Sequence, residues 1–519
     1  MPIASPYADV VLPAGALGDV VFRRAAELGS RPALIDGGDG RTVTFGELPG
    51  LVDRVARGLA DRGFDPGDVL AVMLPNVPEF VLAFHAAARL GGVVTPVNPL
   101  YRAENLAEQL RHSGARRVVT VPPLVPVALE AGAETVHVVG EAPGAEPFAE
   151  LLADGAPPDV AIDPEQLLAL PYSSGTVGLP KGVMLTHRNL TANLLQIEGA
   201  FPIDERDTLL ALLPFFHMYG LTVNANLAIA TGATSVTMAR FDLGEMLRLI
   251  ERHRVTLAFL VPPIVLALAR HPAVDGADLS SLRTIVSGAA PLDAAVASAC
   301  AERIGCEVIQ GYGLTEASPV THITPRDAGD DATPGSVGPS IGSTEVRVVD
   351  VETGDDLPLG ADGELLVRGP QVMRGYLGNP EATADAIDPA GWLHTGDIGH
   401  LDDRGWLHVV DRLKELIKVR GLQVAPAELE ALLLAHPAVA DAAVVGRPDG
   451  RQGEIPWAYV VLAGDASERG LVDHVAARVP PHKRIRRVTV VDEIPRTPSG
   501  KILRRVLVER ERAAIALPL

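Results

Sequence analysis

The chain has 519 residues, of which 47% are hydrophobic and 21% charged, so two or more folded domains are expected and a disordered chain is excluded. Its 65 acidic and 45 basic residues leave a formal charge of −20, which argues against broad nucleic-acid binding because a phosphate backbone recruits surplus Lys and Arg. The two cysteines, Cys300 and Cys306, are too few for a disulfide framework or a cysteine metal site, and a cytoplasmic location is therefore expected.

The N-terminal region does not have the pattern of a signal peptide, since no basic flank precedes a long apolar stretch. The most apolar early region, residues 69–94, is interrupted by Pro75, Asn76, Pro78 and Glu79. A membrane-spanning helix needs about 20 nearly uninterrupted apolar residues. This region is therefore predicted to be a buried strand followed by a helix.

Short strand-like runs alternate with helical patterns over the first 300 residues. Residues 69–74 and 93–97 are rich in β-branched side chains, and residues 79–89 between them space their apolar side chains as a helix does. Further strand-like runs follow at residues 116–121, 235–239, 257–261 and 283–288. This alternation predicts mostly parallel sheets covered by helices, the layered α/β class.

The pattern changes after about residue 335, where short strand-like runs are separated by Gly, Asp and Pro. Runs of this kind occupy residues 345–350, 363–369 and 405–409 and predict a small antiparallel sheet or barrel. A new unit then begins, with a helix from about Pro426. The remaining elements are strand-like runs at 458–462 and 487–491 and a helical segment at 470–479. We therefore predict an N-terminal domain over residues 1–411 and a C-terminal domain over residues 412–519.

Residues 173–182 read SSGTVGLPKG and lie between two strand-like runs. Glycines allow the backbone N–H groups to approach an anion closely, while hydroxyls and a lysine can bind phosphate oxygens. The candidates for phosphate binding are Ser173, Ser174, Gly175, Thr176, Gly178 and Lys181. The segment is not a Walker loop, because Pro180 precedes the lysine and a strand follows. The alternative is a surface hairpin rich in Gly and Ser.

This loop resembles the SSGTTGxPKG signature of the acyl- and aryl-CoA synthetase, luciferase and peptide-synthetase adenylation superfamily. Other motifs of that superfamily follow in order as far as residue 501, and within it the chain is most similar to 4-coumarate–CoA ligases and their bacterial relatives. The resemblance implies an ATP-dependent, AMP-forming acid–CoA ligase. It also implies an α/β fold, in which a large N-terminal domain of layered sheets with helices plus a small β-barrel precedes a small mobile α+β C-terminal domain, with the hinge near Lys414.

Two glycine-rich turns carry the nucleotide site that the resemblance implies. In residues 286–293, Ala289 is part of one wall of the adenine site. In residues 310–320 the opposite wall and the phosphate contacts are formed by Gly311, Tyr312, Gly313, Thr315 and Glu316. Tyr312 is implied to stack on the base, Thr315 to bond the α-phosphate and Glu316 to hold Mg²⁺. Turns that follow strands are where α/β sheets bind ligands, although each pattern alone is also that of an ordinary strand–turn–helix.

Three further residues are implied to act on the nucleotide. Asp397 in GWLHTGD and Arg412 in VVDRLKE are implied to hold the ribose hydroxyls. Lys501 in PRTPSGKILRR is implied to bridge the acid carboxylate and the α-phosphate while the adenylate forms. Without the resemblance, this last segment would be a solvated basic tail.

The resemblance also implies a second step, in which the thiolate of coenzyme A displaces AMP from the acyl-adenylate. For that step the C-terminal domain rotates about Lys414 and brings Lys418, Gly421 and Leu422 to the site. A basic group follows near the C-terminus, comprising Lys483, Arg484, Arg486 and Arg487. This group is either a site for the phosphates of coenzyme A or a solvated face.

The acid is expected to bind beside residues 212–221, LLPFFHMYGL, which we predict to be a buried strand leading into a turn. His217 is implied to lie beside the carboxylate, whereas a lone histidine in such a run is more often a core residue. The predicted pocket comprises Tyr219, Val223, Val286, Gly288, Ala289, Gly313, Pro319, Val320 and Thr321. Small residues leave room for a flat ring, and Tyr219 offers a hydroxyl to a para-substituent, which favours 4-coumarate or a related hydroxycinnamate or aryl acid.

Several alternatives remain open at the level of the sequence. A medium-chain fatty-acid–CoA ligase is the nearest, since an apolar slot discriminates chain shape weakly. A luciferase-like or carrier-protein-loading enzyme would share almost every motif, whereas a non-catalytic homologue is disfavoured because Lys418 and Lys501 are both present. The expected partners are a small carboxylic acid, ATP, Mg²⁺ and coenzyme A, and the chain is expected to be a monomer or a weak homodimer.

Val177 departs from the signature, which has a second hydroxyl residue at this place. Valine matches threonine in shape but makes no hydrogen bond to phosphate, and a hydrogen bond to a charged group contributes about 1.5–3 kcal/mol. We therefore expect Val177→Thr to speed adenylate formation or to tighten ATP binding. Rapid-quench measurement of pyrophosphate release checks this, and a rate and ATP dependence unchanged from the original chain would reject it.

Overall fold

The computed structural model describes residues 2–173, 181–326, 328–329, 332–420, 422–449, 452–497 and 500–515. The candidate phosphate-loop residues Ser174, Gly175, Thr176, Gly178 and the departure Val177 lie outside these ranges, as does Gly421. The side chain of Ser173 is likewise not described.

The strands before residue 200 are short and mostly apolar. In chain order they are β1 (Ile3–Ala4), β2 (Pro32–Asp36), β3 (Thr42–Thr44), β4 (Val69–Met73), β5 (Val93–Pro96), β6 (Arg117–Thr120), β7 (Thr135–Val138), β8 (Glu146–Pro147), β9 (Leu167–Ala169), β10 (Tyr172–Ser173) and β11 (Lys181–Thr186).

The later strands continue the numbering. They are β12 (Thr208–Ala211), β13 (Thr234–Thr237), β14 (Leu257–Leu260), β15 (Thr284–Ser287), β16 (Glu307–Gly313), β17 (Val320–Ile323), β18 (Glu345–Val349), β19 (Gly363–Arg368), β20 (Gly375–Tyr376), β21 (Leu393–Leu401), β22 (Leu407–Arg412), β23 (Ile417–Val419), β24 (Leu422–Val424), β25 (Val439–Asp449), β26 (Gly453–Leu462) and β27 (Arg487–Val490).

The α-helices cover the sheets and connect their strands. They are α1 (Leu17–Val21), α2 (Ala25–Leu28), α3 (Leu48–Asp61), α4 (Pro78–Arg89), α5 (Ala103–Ser113), α6 (Val125–Glu130), α7 (His187–Ala200), α8 (Ala228–Thr231), α9 (Leu243–His253), α10 (Pro262–Arg270), α11 (Ala294–Ile304), α12 (Pro380–Ala386), α13 (Pro426–Leu434), α14 (Glu468–Ala476) and α15 (Arg504–Ile515). A π-helix spans Gly220–Leu227. Among the described residues, no helix combines the length and the apolar character that crossing a bilayer requires.

Two large sheets form the layered part of the molecule. The first has the order β10-β11-β9-β5-β4-β6-β7-β8 and the second β17-β16-β15-β14-β12-β13-β2-β3. Most of their pairs are parallel, with antiparallel pairs towards the edges. Parallel strands are covered on both faces and are therefore apolar throughout, and α4 is buried along almost its whole length within the main core. The predicted α/β class is confirmed.

Two smaller sheets complete the fold. The third sheet is antiparallel, in the order β1-β18-β19-β21-β22. The fourth has the order β24-β23-β26-β25, with β27 beside β26, and packs with α13 and α14 around a separate apolar core. We call the part of the chain through β22 the large domain and the part from β23 the small domain. The predicted division between residues 411 and 412 stays a prediction.

The strand predicted to begin residues 212–221 is wrong. The strand β12 already ends at Ala211, because the buried side chain of Asn76 takes over the hydrogen bonds of the next residues. Its Nδ2 donates to the carbonyls of Ala211 and Leu213, at 2.8 and 2.9 Å, and its Oδ1 accepts from the N–H of Phe215 at 2.8 Å. The chain therefore turns here, before the π-helix, and His217 lies in that turn.

Candidate active site

The carboxyl ends of four neighbouring strands in the second sheet meet at one edge. The strands β12, β14, β15 and β16 are parallel and adjacent, with Leu209 opposite Leu257 and Ser287 opposite Gln310. The residues that follow them come from segments far apart in the chain. Ligands bind at such an edge because the loops there leave a crevice. The predicted site residues His217, Gly288 and Thr315 follow β12, β15 and β16 there.

The turn after β12 carries His217 and Tyr219. The N–H of Tyr219 donates to Nδ1 of His217 at 3.3 Å, which fixes the orientation of the imidazole ring. Gly220 is required in this turn, since a Cβ there would overlap the carbonyl oxygen of Pro214. Burial, and then the charge of Lys501, lower the pKa of His217 to about 4. The ring is therefore neutral near pH 7.

A pocket opens between this turn and the ends of β15 and β16. The predicted acid-site residues that line it are His217, Tyr219, Val223, Val286, Gly288, Ala289, Gly313, Pro319 and Val320. Gly311, Tyr312 and Thr315 of the predicted nucleotide site line the same pocket. Thr321 does not; its hydroxyl is buried and bonds Nδ1 of His322 and the carbonyl of Tyr312, at 3.0 and 3.3 Å.

Two glycines give this pocket its shape. A Cβ at Gly288 would lie 2.9 Å from the Tyr219 ring, so the ring occupies space that any side chain at 288 would take. A Cβ at Gly313 would overlap the carbonyl oxygen of Pro319. That carbonyl accepts the N–H of Leu314 at 2.9 Å, which draws the two segments together. The two close approaches explain why both positions carry no side chain.

Tyr312, Asp397 and Arg412 form a hydrogen-bonded group between the second and third sheets. Asp397 is opposite Arg412 in the antiparallel pair of β21 and β22. The Tyr312 hydroxyl donates to Asp397 Oδ2 at 2.6 Å, and Arg412 Nε lies 3.3 Å from Asp397 Oδ1. Burial raises the pKa of Asp397, while Arg412 and the Tyr312 hydroxyl act against that rise.

A second polar group joins Lys181, Tyr376 and Glu316. The Tyr376 hydroxyl donates to Glu316 Oε1 at 3.0 Å, and Lys181 Nζ lies 4.7 Å from the centre of the Tyr376 ring. The strand β20 brings Tyr376 there, because it pairs with β11 and sets Tyr376 opposite Val183. A carboxylate, a cation and an aromatic ring thus lie together directly after the candidate phosphate loop.

Lys501 reaches this region from the small domain. The loop that carries it is closed by hydrogen bonds between Thr497 and Lys501, and Gly500 packs on Val261 at the end of β14. Gly500 has φ +82, a conformation that glycine adopts without strain. Withdrawal from water, followed by repulsion from Arg412, lowers the pKa of Lys501 to about 8.

Two of the residues predicted to serve coenzyme A, Lys418 and Leu422, do not line the pocket in this arrangement. Lys418 is exposed on β23, where its N–H donates to Glu454 Oε2 at 2.8 Å. Leu422 on β24 is 52% exposed. Lys501 lies close enough to the pocket residue His217 for its charge to lower the pKa of that ring, whereas neither Lys418 nor Leu422 lines the pocket.

Sequence reasoning missed some of the residues that build the site. Asn76 lies in the loop after β4, and Tyr376 lies on β20. Each is far along the chain from the motif residues that it contacts. Additional apolar residues line the pocket, namely Ile197, Phe259, Leu314 and Ile323. Asn76 could have been singled out because it is a polar residue inside the apolar run 69–94. No sequence pattern pointed to Tyr376, because only the pairing of its strand brings it to the site.

Comparison with known proteins agrees with this geometry. The profile of the family described as AMP-binding enzyme matches residues 21–377, and that of the AMP-binding enzyme C-terminal domain matches residues 428–501. 4-Coumarate–CoA ligase 5 of Oryza sativa subsp. japonica is 47% identical, over 97% of this chain and 95% of its own. 4-Coumarate–CoA ligase of Pinus taeda is 43% identical over 94% of each chain.

Solved structures show the same two-domain architecture. The anthranilate–CoA ligase AuaEII in complex with anthranoyl-AMP superimposes with a TM-score of 0.90 at 28% identity, over 98% of this chain and 99% of that one. ATP-bound MatB from Rhodopseudomonas palustris gives 0.86 at 30% identity, over 96% and 99%. The chain belongs to the AMP-binding enzyme family. Within that family it is an AMP-forming acid–CoA ligase, and such enzymes use ATP and coenzyme A.

We expect Gly313→Ala to destabilise the protein, because the new Cβ forces β16 away from Pro319 and overpacking of this kind costs about 1–3 kcal/mol. Differential scanning calorimetry should show a lower melting temperature. Gly50→Ala is the matched control, since a Cβ there has no atom within 4 Å. Equal melting temperatures for the two variants would contradict the packing described at Gly313.

Proposed function

We propose that the enzyme activates 4-coumarate or a closely related hydroxycinnamate as its acyl-adenylate and passes the acyl group to coenzyme A. One observation carries this proposal: the acid pocket and the nucleotide site share a wall. Gly311, Tyr312, Gly313 and Thr315 line the same pocket as Tyr219 and Val286. A carboxylate bound in the acid pocket would therefore lie next to the α-phosphate of a nucleotide bound on the other side of the shared wall.

The nucleotide would be held by residues of the second and third sheets. Tyr312 would stack on the adenine between Gly311 and Ala289. Asp397 would accept the ribose hydroxyls, supported by Arg412 3.3 Å away. The phosphates would then lie near Thr315, Lys181 and the candidate phosphate loop. Backbone N–H groups, hydroxyls and a cation are what polyphosphate requires.

The residues present fit a Mg²⁺ ion bound together with ATP. Glu316 supplies a carboxylate whose Oε1 accepts a hydrogen bond from the Tyr376 hydroxyl, and Lys181 lies over the ring of the same tyrosine. Mg²⁺ usually binds one or two carboxylates and takes its remaining ligands from phosphate oxygens and water. When bound, the ion would neutralise charge on the departing pyrophosphate. Glu316 and Tyr376 would position it.

In the first step, a carboxylate oxygen of the acid forms a bond to the α-phosphorus of ATP, and the bond to pyrophosphate breaks. The protein's task is to hold the two anions together and to offset the charge that develops. Lys501, from the small domain, would contact both the carboxylate and the α-phosphate. His217 would lie beside the carboxylate as a neutral ring, which avoids a charge competing with Lys501.

In the second step, the thiolate of coenzyme A bonds to the acyl carbon, and the bond from that carbon to the phosphate oxygen of AMP breaks. Lys501 is at the pocket and Lys418 is exposed, so one arrangement does not offer both lysines to the same site. We propose that the small domain turns about Lys414 between the steps. Lys418, Gly421 and Leu422 would then approach the pocket in place of Lys501.

The choice of acid is supported by the pocket walls. Aliphatic side chains, including Ile197, Val223 and Val286, face the space beside the Tyr219 hydroxyl. Gly288 has no side chain, so the Tyr219 ring can lie against it, and the tyrosine hydroxyl can bond the para-hydroxyl group of a planar acid. Relatives named 4-coumarate–CoA ligases match nearly the whole chain. A medium-chain fatty acid is the main rival occupant of the same apolar walls.

A panel of acids tests this assignment. With ATP, Mg²⁺ and coenzyme A, we expect 4-coumarate to give the highest kcat/KM for pyrophosphate and thioester formation, above cinnamate and octanoate. Tyr219→Phe should lower kcat/KM for 4-coumarate by about 3- to 10-fold, the value of one hydrogen bond, while cinnamate, which has no para-hydroxyl, is the matched control. Faster turnover of octanoate would overturn the assignment, as would equal losses for both ring acids.

Lys501 gives a second prediction, which separates the two steps. Since only its ammonium form is charged, adenylate formation should slow as pH rises above about 8, the pKa of Lys501. Lys501→Arg keeps its positive charge, so its rate of adenylate formation should not decline as the pH rises. Lys501→Ala should lose adenylate formation but still convert supplied acyl-adenylate to thioester. Single-turnover rates of both steps from pH 6 to 10 check this, and loss of both steps in Lys501→Ala would contradict it.

A further inference from the structure

The helix α13 of the small domain is held at both ends by side chains of the large domain. At its start, the N–H of Ala427 donates to Asp411 Oδ2 at 2.9 Å. At its end, Arg270 Nη2 donates to the carbonyl of Leu434 at 3.0 Å, and Arg270 Nη1 to the carbonyl of Val439 at 3.4 Å. Asp411 lies on β22, and Arg270 is the last residue of α10.

The charges match the ends of the helix. The first N–H groups of a helix carry partial positive charge and its last carbonyls partial negative charge, so an anion is favoured at the start and a cation at the end. Asp411 is the anion and Arg270 the cation. The two large-domain residues therefore bind α13 with opposite charges in the favourable order, and they fix both its position and its direction.

Asp411 depends on the small domain for part of its stabilisation. The carboxyl group is only 6% exposed. Its Oδ1 accepts the N–H of Arg412 at 2.7 Å, a contact within β22. The small domain supplies the N–H of Ala427 and the nearby guanidinium of Arg504, which also binds Glu415 and Glu430. If the small domain turned away, Asp411 would lose both of these contributions.

Arg270 acts at the other end of α13 and is more accessible. It lies in the last turn of α10 and is exposed on one side. The helix α10 begins directly after Val261, the residue on which Gly500 packs. The Lys501 loop and the C-terminal end of α13 therefore both rest on the segment 261–270 of the large domain.

We infer that Asp411 and Arg270 form a clasp on α13 that holds the small domain in the adenylating arrangement and must open before the thioester step. The inference rests on the proposed function, in which the small domain turns between the two steps. Both residues are positioning residues, since neither lines the pocket. Weakening the clasp should slow the step that needs Lys501 at the pocket and spare the step that does not.

Arg270→Glu tests the clasp without disturbing a core, because it reverses a half-exposed charge. We expect adenylate formation to slow by about tenfold, since a favourable helix-end charge becomes unfavourable, while thioester formation from supplied 4-coumaroyl-adenylate stays within about twofold. Arg270→Lys should restore most of the rate. The matched control is Arg252→Glu, at the end of α9. Asp411→Asn should resemble Arg270→Glu if it folds.

Two results would overturn the clasp: an unchanged rate of adenylate formation in Arg270→Glu, or equal slowing of both steps. Hydrogen–deuterium exchange gives a readout that needs no activity. The turn at residues 214–220 lies beside Lys501 and should exchange faster in Arg270→Glu than in Arg252→Glu; equal exchange would reject the clasp. If the unaltered chain released no pyrophosphate with any acid, the proposed function would fall, and the exchange result would still decide the clasp.

Discussion

The parallel alignment of β12, β14, β15 and β16 is the constraint on which the site depends. Because the strands run in one direction and are adjacent, the segments that follow them emerge at one edge of the second sheet. Each of these segments must then turn sharply, which requires a side chain or a glycine that permits the turn. Asn76 supplies such a side chain after β12, while Gly288 leaves space for the Tyr219 ring and Gly313 for the carbonyl of Pro319. A change in the order of these strands would disperse the pocket.

Charged groups at the site are each balanced by a partner from another element. Asp397 is buried, yet Arg412 and the Tyr312 hydroxyl both bind it. Glu316 is held by Tyr376, whose ring also faces Lys181. Without such partners, the buried carboxylate of Asp397 would take up a proton and lose its ability to bind hydroxyl groups. The third sheet, which supplies Asp397 and Arg412, is therefore part of the site.

The small domain contributes chemistry through its position. Its own core is separate, which is what the proposed turn of this domain as a unit requires. Polar contacts between the domains lie at Asp411 and Arg270, and Gly500 packs on Val261. A small apolar cluster of Ile398, Leu416 and Ala425 also spans the boundary. Polar contacts of this kind exchange readily for water. In the proposed cycle, a domain held in this way delivers Lys501 for one step and is released for the next.

The sequence by itself determined the α/β class, several of the strands and the helices α4, α13 and α14, because those features are local. The family resemblance supplied most of the residues that line the pocket. Periodicity sets strands and helices, and short motifs carry the glycines and charged groups that a turn or a phosphate requires. The strand expected at residue 212 was wrong because Asn76, 136 positions earlier, replaces the ladder bonds. Only the tertiary structure decided that Tyr376 meets Glu316, that Lys501 and not Lys418 is at the pocket, and that α13 is held at both ends. Those contacts join residues that are far apart in the chain, and no local sequence pattern specifies which distant residues will meet.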